Sequence, residues 1–431
     1  MSVRPEAPPW LVAPSPGLRV WALEPYFGGS HRRFLEGLAS HSRHHYSLHT
    51  LPGRNWKWRM HGAALALARD SQGGRTIPAP GDADGARTIP APGGAGGAAL
   101  PQVLFASDML DLADYKALVH PAVAATPTIL YMHENQLTYP LPPGVERDLG
   151  YGLKNIISAL VADRVLFNSA FHRGEFLGAV EALLDDLPDA VPHWAADEVA
   201  AKSDVLPLGC DLAWLDGHRP SGGPGHSGSG RWGDEERGPL IVWNQRWEYD
   251  KAPGDLFRAL SALRERGVGF RLAMAGANHG LPSAQFVEAR GRLDSEIVQW
   301  GHVEDAADYA SLLWEADIVV STALHEFFGV AVVEALYCGC RPVLPHRLSY
   351  PEIVPKEAHG EALYGPGELV DALAEALERS TAARKSAGKS SRIEWQRTWV
   401  SRYDWSAMAS RYDAAVQLCW EGGLARGTKE G

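Results

Sequence analysis

Two carboxylates, Glu326 and Glu334, lie in the segment HEFFGVAVVEAL, which runs from His325 to Leu336. DIVVST before it reads as a buried strand and AVVEALYCG has helical character, so LHEFFG is a strand-to-helix turn. Open α/β sheets bind ligands at such turns, at the carboxyl ends of their strands. Gly329 permits tight backbone geometry, and the free N–H groups of Phe327, Phe328, Gly329 and Val330 at the positive end of the helix form an anion cradle. Carboxylates do not bind phosphate; they accept hydrogen bonds from hydroxyls, so Glu326 and Glu334 suit a sugar or a ribose over the helix start. The alternative is a pair of solvated acids favoured by the helix dipole.

A second group follows the strand LIVW, in WNQRWEYDK, where Arg246 and Lys251 are two cations five residues apart. Arginine can grip a phosphate with two parallel hydrogen bonds and lysine adds a compact charge. Taken alone the pair is a solvated surface; beside the Glu326 turn it is a diphosphate clamp. Gly276 ends FRLAMAG, and Gly301, His302 and Val303 are at the end of IVQWGH, both at further strand-end turns. Nearer the N-terminus, Gly28, Gly29 and Ser30 follow the strand LRVWALE, either as a backbone approach to a ligand or as a turn with Ser30 capping a helix. His133, Glu134 and Asn135 close the strand TILYMHE at another carboxyl edge. In RNWKWRMHG, Arg54, Lys57 and Arg59 alternate with Trp56 and Trp58. That mixture contacts phosphates and stacks on unpaired bases, unless the tryptophans pack inward.

These residues need a rigid frame. LRVWALE, YSLHTLP, VLFAS, TILYMHE, RVLFNS and DVLPLG read as strands with amphipathic segments between most of them, and the rhythm restarts as LIVWNQ, FRLAMAG, IVQWGH, DIVVST and RPVLP. Such alternation predicts two α/β units, each with a parallel sheet covered on both faces. Residues 1–17 read as a disordered leader, 18–215 as the first domain, 216–238 as a Gly/Ser-rich linker, 239–402 as the second domain and 403–431 as a C-terminal helix packed across a domain face. Residues 71–98, with RTIPAPG repeated, read as a flexible insertion.

Bulk properties exclude several classes. At 431 residues, two domains are expected. No apolar run approaches the roughly 20 residues that span a bilayer, and the N-terminus lacks a secretory h-region. Cys210, Cys338, Cys340 and Cys419 form no zinc-type pair, so a cytoplasmic protein without structural zinc is expected. The net charge of −11 argues against blanket binding of nucleic acid. Between Arg19 and Arg69, however, the basic residues face only Glu24 and Glu36, so that stretch is locally positive.

Arg246, Lys251 and the Glu326 to Glu334 pair resemble the donor site of family 4 retaining glycosyltransferases, which have the GT-B fold of two Rossmann-like domains facing a central cleft. The resemblance assigns Arg246 and Lys251 to the donor diphosphate, Glu326 to the transferred sugar, Glu334 to the ribose, and Gly276, Gly301, His302 and Val303 to the ribose and base. EPYFGGSHRRFLEGL, TLPGRNWKWRMHGAAL, MHENQLTYP and VLFNSAFHRGEFL, with RWEYDK, STALHEFFGVAVVEALYCGC and YPEIVP, are similar to the tRNA-queuosine mannosyltransferase family. That family implies mannose transfer from GDP-mannose to the queuosine of tRNA-Asp, with tRNA as acceptor and no obligate protein partner. It implies that His133 joins Glu326 at the sugar. It puts Gly28, Gly29, Ser30, His31, Glu134, Asn135 and Gln136 toward the acceptor. No metal or other cofactor is expected, because cations and a helix dipole neutralise the diphosphate and no Asp-x-Asp pair is near. The competing readings are a family 4 enzyme with another nucleotide sugar and a small or lipid acceptor, and a non-catalytic RNA- or nucleotide-binding module.

Overall fold

A computed structural model describes residues 17–73, 100–142, 144–219, 232, 238–277, 284–386 and 390–427. Most of the expected leader, insertion and linker lie outside those residues. At two edges the described chain is more ordered than its composition suggests. The helix Trp56–Gly73 continues into the segment read as an insertion, since no Pro and no Gly pair stops it earlier. Asp216, read as linker, lies in a 3-10 turn, Ala213–His218, and accepts a hydrogen bond from the Tyr337 hydroxyl at 3.0 Å.

The strands are β1 Arg19–Phe27, β2 His45–Pro52, β3 Val103–Ser107, β4 Thr128–Met132, β5 Arg164–Phe167, β6 Ser203–Val205, β7 Leu240–Trp243, β8 Arg271–Met274, β9 Ile297–Trp300, β10 Ile318–Val320, β11 Arg341–Pro345 and β12 Leu363–Tyr364. They form two six-stranded sheets, in the orders β2-β1-β3-β4-β5-β6 and β12-β11-β10-β7-β8-β9. The pairs β1–β2, β1–β3, β5–β6, β7–β8, β8–β9, β7–β10, β10–β11 and β11–β12 are parallel. VLFAS, TILYM, LIVW and IVV are buried at every position, as strands covered on both faces must be. IVQW, half-buried throughout, is an edge strand. The periodicity did not predict β12, which is only two residues long and carries no pattern.

Sheet order decides where ligands can bind. In the second sheet, β8 and β9 lie on one side of β7, while β10, β11 and β12 lie on the other. Successive crossovers diverge between β7 and β10, leaving a crevice at their carboxyl ends. The loops that open there carry Arg246 to Lys251 and His325 to Gly329. In the first sheet the order reverses between β1 and β3, and the loop after β1 carries Gly28 and Gly29.

By contact density the chain divides into one unit, Met1–Ile129 with Tyr412–Gly431, and a second, Leu130–Arg411. The final helix, Trp405–Gly427, belongs to the second unit in its first turns and to the first thereafter. Of its apolar stripe, Trp405, Met408, Tyr412, Val416 and Cys419 are buried as their spacing predicts, and Ala415 is half-buried. Within the first unit, Tyr412 meets Phe34 edge-on and Asp413 receives the Ser42 hydroxyl at 2.5 Å. Within the second, Trp405 leaves no space for a side chain at Gly209. Among the described residues no helix is long and apolar enough to cross a membrane.

Candidate active site

The loops after β7 and β10 are stitched together. Leu324 N–H donates to the Asp250 carbonyl at 2.7 Å, the Thr322 hydroxyl to the Lys251 carbonyl at 2.8 Å, and Lys251 Nζ to the His325 carbonyl at 2.7 Å. Gln245 donates to the Ser321 hydroxyl at 2.8 Å, which meets the Tyr350 hydroxyl at 2.6 Å. Arg246, Lys251 and Glu326 are therefore held in one constellation. Gly329 caps the helix Val330–Tyr337 at φ +96°, a conformation that glycine adopts without strain. The N–H groups of Gly329 and Val330 find no acceptor among the described residues, whereas that of Phe328 faces Glu326 Oε1 at 3.4 Å.

The two cations differ sharply. Lys251 is 6% exposed, with Asp250 at 3.0 Å and Glu326 at 3.4 Å from its ammonium. Burial alone would lower its pKa, but Glu326 and Asp250 outweigh it and raise the value. The Arg246 side chain is 49% exposed and meets Glu248 at 3.3 Å. There too burial opposes the charge, and Glu248, Tyr139, Asp250 and Glu134 together raise the pKa. Arg246 is thus the cation open to a ligand, while Lys251 can meet one only by exchanging a partner. The simple two-cation clamp read from spacing becomes one exposed guanidinium and one internally paired ammonium.

Glu334 is 5% exposed and accepts the Tyr309 hydroxyl at 2.8 Å, which receives the Asn244 amide at 3.0 Å. It is no solvated helix acid. A Cβ on Gly276 would lie 1.6 Å from the Gln245 carbonyl oxygen, so only glycine fits beneath that loop. Gly301 turns at φ +109° with its N–H on the Met274 carbonyl at 2.8 Å; His302 is exposed and Val303 half-buried.

The segment after β4 belongs to the same unit. His133 is half-buried, with its ring 4.8 Å from Tyr131. Glu134 accepts from the Gln136 amide at 2.9 Å. Asn135 is fully buried, and its side-chain amide oxygen Oδ1 accepts the N–H groups of Leu137 and Thr138 at 3.0 Å each, so it turns inward and builds the turn. Tyr139, beyond that turn, places its ring 4.6 Å from His325. Burial and then Asp250 raise the Tyr139 pKa, so its hydroxyl keeps its proton.

In the first unit, Gly28 is extended at φ −165° and caps the helix Gly29–His41, so Ser30 is not the cap. Gly28 packs against Gly53, where a Cβ would come within 2.8 Å of the Gly28 Cα. His31 Nδ1 meets the buried carboxylate of Glu24 at 3.0 Å, and Glu24 also receives the Tyr26 N–H at 2.7 Å. At the helix Trp56–Gly73, Arg54 and Lys57 are exposed, Trp56 is half-buried with the Lys57 ammonium 5.7 Å from its ring centre, and Arg59 donates to the Pro52 carbonyl at 3.3 Å. Trp58 is 61% exposed, so it does not pack inward.

The sequence reading missed Tyr139, Asp250, Tyr309, Glu24 and His172. Asp250 and Tyr139 sit inside quoted motifs, so the strand-end rule could have flagged them. His172 lies within VLFNSAFHRGEFL as well, but like Tyr309 it is on a helix, where the strand-end rule marks nothing.

The family model described as tRNA-queuosine alpha-mannosyltransferase N-terminal matches residues 19–210, and that described as glycosyl transferases group 1 matches residues 238–382. A tRNA-queuosine alpha-mannosyltransferase of Drosophila melanogaster is 35% identical over 336 residues, 78% of this chain and 81% of that protein. A GDP-mannose:cellobiosyl-diphosphopolyprenol alpha-mannosyltransferase of Xanthomonas campestris is 26% identical over 183 residues, 41% of this chain and 46% of that protein. Among solved structures, the catalytic domain of starch synthase IV from Arabidopsis thaliana superposes with a TM-score of 0.65 at 11% identity, covering 94% of this chain and 100% of that one. A sucrose-phosphate synthase from Thermosynechococcus elongatus gives 0.62 at 14% identity with the same coverage.

Proposed function

The chain belongs to the tRNA-queuosine alpha-mannosyltransferase family and is a glycosyltransferase with the GT-B fold, and from that premise we propose that it moves mannose from GDP-mannose to the queuosine nucleoside in the anticodon of tRNA-Asp, in the cytoplasm, with retention of anomeric configuration. One observation carries the donor half: the stitched β7 and β10 loops bring together Arg246, Glu326 and the N–H groups of Gly329 and Val330, which meet no acceptor among the described residues.

In this reading the diphosphate is received by Arg246 and the helix N-terminus, while Lys251 shifts from its carboxylate partners toward the phosphates as charge builds on the leaving group. Stabilising that charge is what accelerates the reaction, because it is larger in the transition state than in the bound donor. Glu326, with His133, orients the sugar hydroxyls, and Glu334 takes the ribose. The substitution is front-face, with the leaving diphosphate accepting the proton of the queuosine hydroxyl. No divalent metal is required, so chelation with EDTA is expected to leave the rate unchanged.

Radiolabelled GDP-mannose incubated with tRNA that carries or lacks queuosine tests the assignment. Label is expected only in queuosine tRNA; a folded protein that leaves it unlabelled would reject the proposal.

A further inference from the structure

Phe327 follows Glu326 directly and is almost wholly covered. The imidazole of His172, itself inaccessible to solvent, lies flat on it, with ring centres 3.7 Å apart and planes at 16°. His172 is on the helix Ala170–Asp185, whose first N–H groups, of Ala170 and Phe171, are held by the Glu352 carboxylate at 2.9 and 2.7 Å. The imidazole also has a polar attachment. Its Nδ1 is 2.9 Å from the Asn168 amide oxygen, and the Asn168 amide nitrogen donates to the His133 carbonyl at 2.9 Å. Because an amide oxygen only accepts, the ring proton is on Nδ1.

That tautomer leaves Nε2 as a buried lone pair, and no described residue donates to it. A buried acceptor without a donor is destabilising, and phenylalanine would keep the stack without it. Packing alone therefore does not account for a histidine here. An imidazole supplies both a flat ring for Phe327 and, as phenylalanine cannot, a donor for Asn168. Burial, and then the neighbouring His325, lower its pKa well below the ordinary value, which keeps the ring neutral with a single N–H.

We propose that His172 is a positioning residue: through Asn168 it fixes the strand end bearing His133, and through Phe327 it fixes the turn bearing Glu326. It thereby sets the spacing of the two groups assigned to the transferred sugar, and in that it rests on the function proposed above.

His172→Phe retains the stack and removes the donor. This variant is expected to bind GDP-mannose within about twofold of the wild type while its kcat falls by about tenfold or more, because small misplacements of groups at the reacting centre are costly. Asn168→Ala breaks the same link, so the double variant is expected to lose no more than the worse single one. A kcat for His172→Phe within about twofold of wild type, donor affinity falling in step with kcat, or losses that multiply in the double variant would each overturn the proposal. Should His172→Phe fail to fold, Asn168→Ala in the same two assays decides by the same criteria. Should the wild type itself transfer no mannose, the substrate assignment fails separately, and nitrogen NMR of the histidine ring still reads the link. A neutral Nδ1–H tautomer that persists to about pH 6 supports it, and an Nε2–H tautomer or a protonated ring overturns it.

Discussion

At the scale of single residues, Arg246 and Lys251 share a charge but not a role. Arg246→Ala is expected to cost about 1.5–3 kcal/mol of charged hydrogen bonding to the donor, a ten- to hundredfold loss in kcat/KM at roughly 1.4 kcal/mol per factor of ten. Stability should change by less than about 1 kcal/mol, since its pair with Glu248 is half-exposed. Lys251→Met would strand the Asp250 and Glu326 carboxylates in a buried site, which typically costs about 3–5 kcal/mol, so urea unfolding should separate the two variants. His325 and His49 add a pH dependence. Burial lowers both to about 4, Lys251 contributing second at His325. Below the ordinary imidazole value of about 6.5 the unfolded chain takes up protons that the folded chain refuses. Stability is thus full above about pH 6.5 and falls as pH drops toward 4, by on the order of 3 kcal/mol per histidine. Denaturant midpoints at pH 7 and pH 5 read this; a midpoint that rose on acidification would contradict it.

At the scale of elements, the turns carry the constraint. Gly276→Ala forces a methyl into the Gln245 carbonyl and should cost at least about 2 kcal/mol. Gly301→Ala meets open space and pays only for its positive φ, about 1–2 kcal/mol. Their order in urea midpoints checks whether crowding or backbone conformation dominates. The helix Trp56–Gly73 offers a different readout. With Arg54, Lys57 and Trp58 exposed, Arg54→Ala and Lys57→Ala should each lower tRNA affinity and reduce the slope against log salt by about 1. Trp58→Ala should weaken tRNA binding by about 1–3 kcal/mol through lost stacking, with stability almost unchanged. A salt slope untouched by both cation variants would remove this helix from the RNA-binding surface.

At the scale of the whole molecule, the final helix supplies buried residues to both units, Trp405 and Met408 to one and Tyr412, Val416 and Cys419 to the other. Deleting residues 405–431 uncovers both cores, and the truncated chain is expected to be insoluble or to melt more than about 10 °C lower, at roughly 2–4 °C per kcal/mol for a large domain. The apolar spacing of that helix, the alternation of strands and helices, and the turn chemistry around Gly329 were all legible in the sequence, because each is a local pattern with a fixed period or a required φ. The order of the strands, the pairing of Lys251 with Asp250 and Glu326, the inward turn of Asn135 and the outward turn of Trp58 were not. Nor was the reach of His172 to Phe327, across more than a hundred residues of chain. Local pattern says which faces are apolar and where a turn needs glycine. Which charges neutralise one another, and which rings are covered, depends on neighbours brought together only when the two sheets form, so the tertiary structure alone decided it.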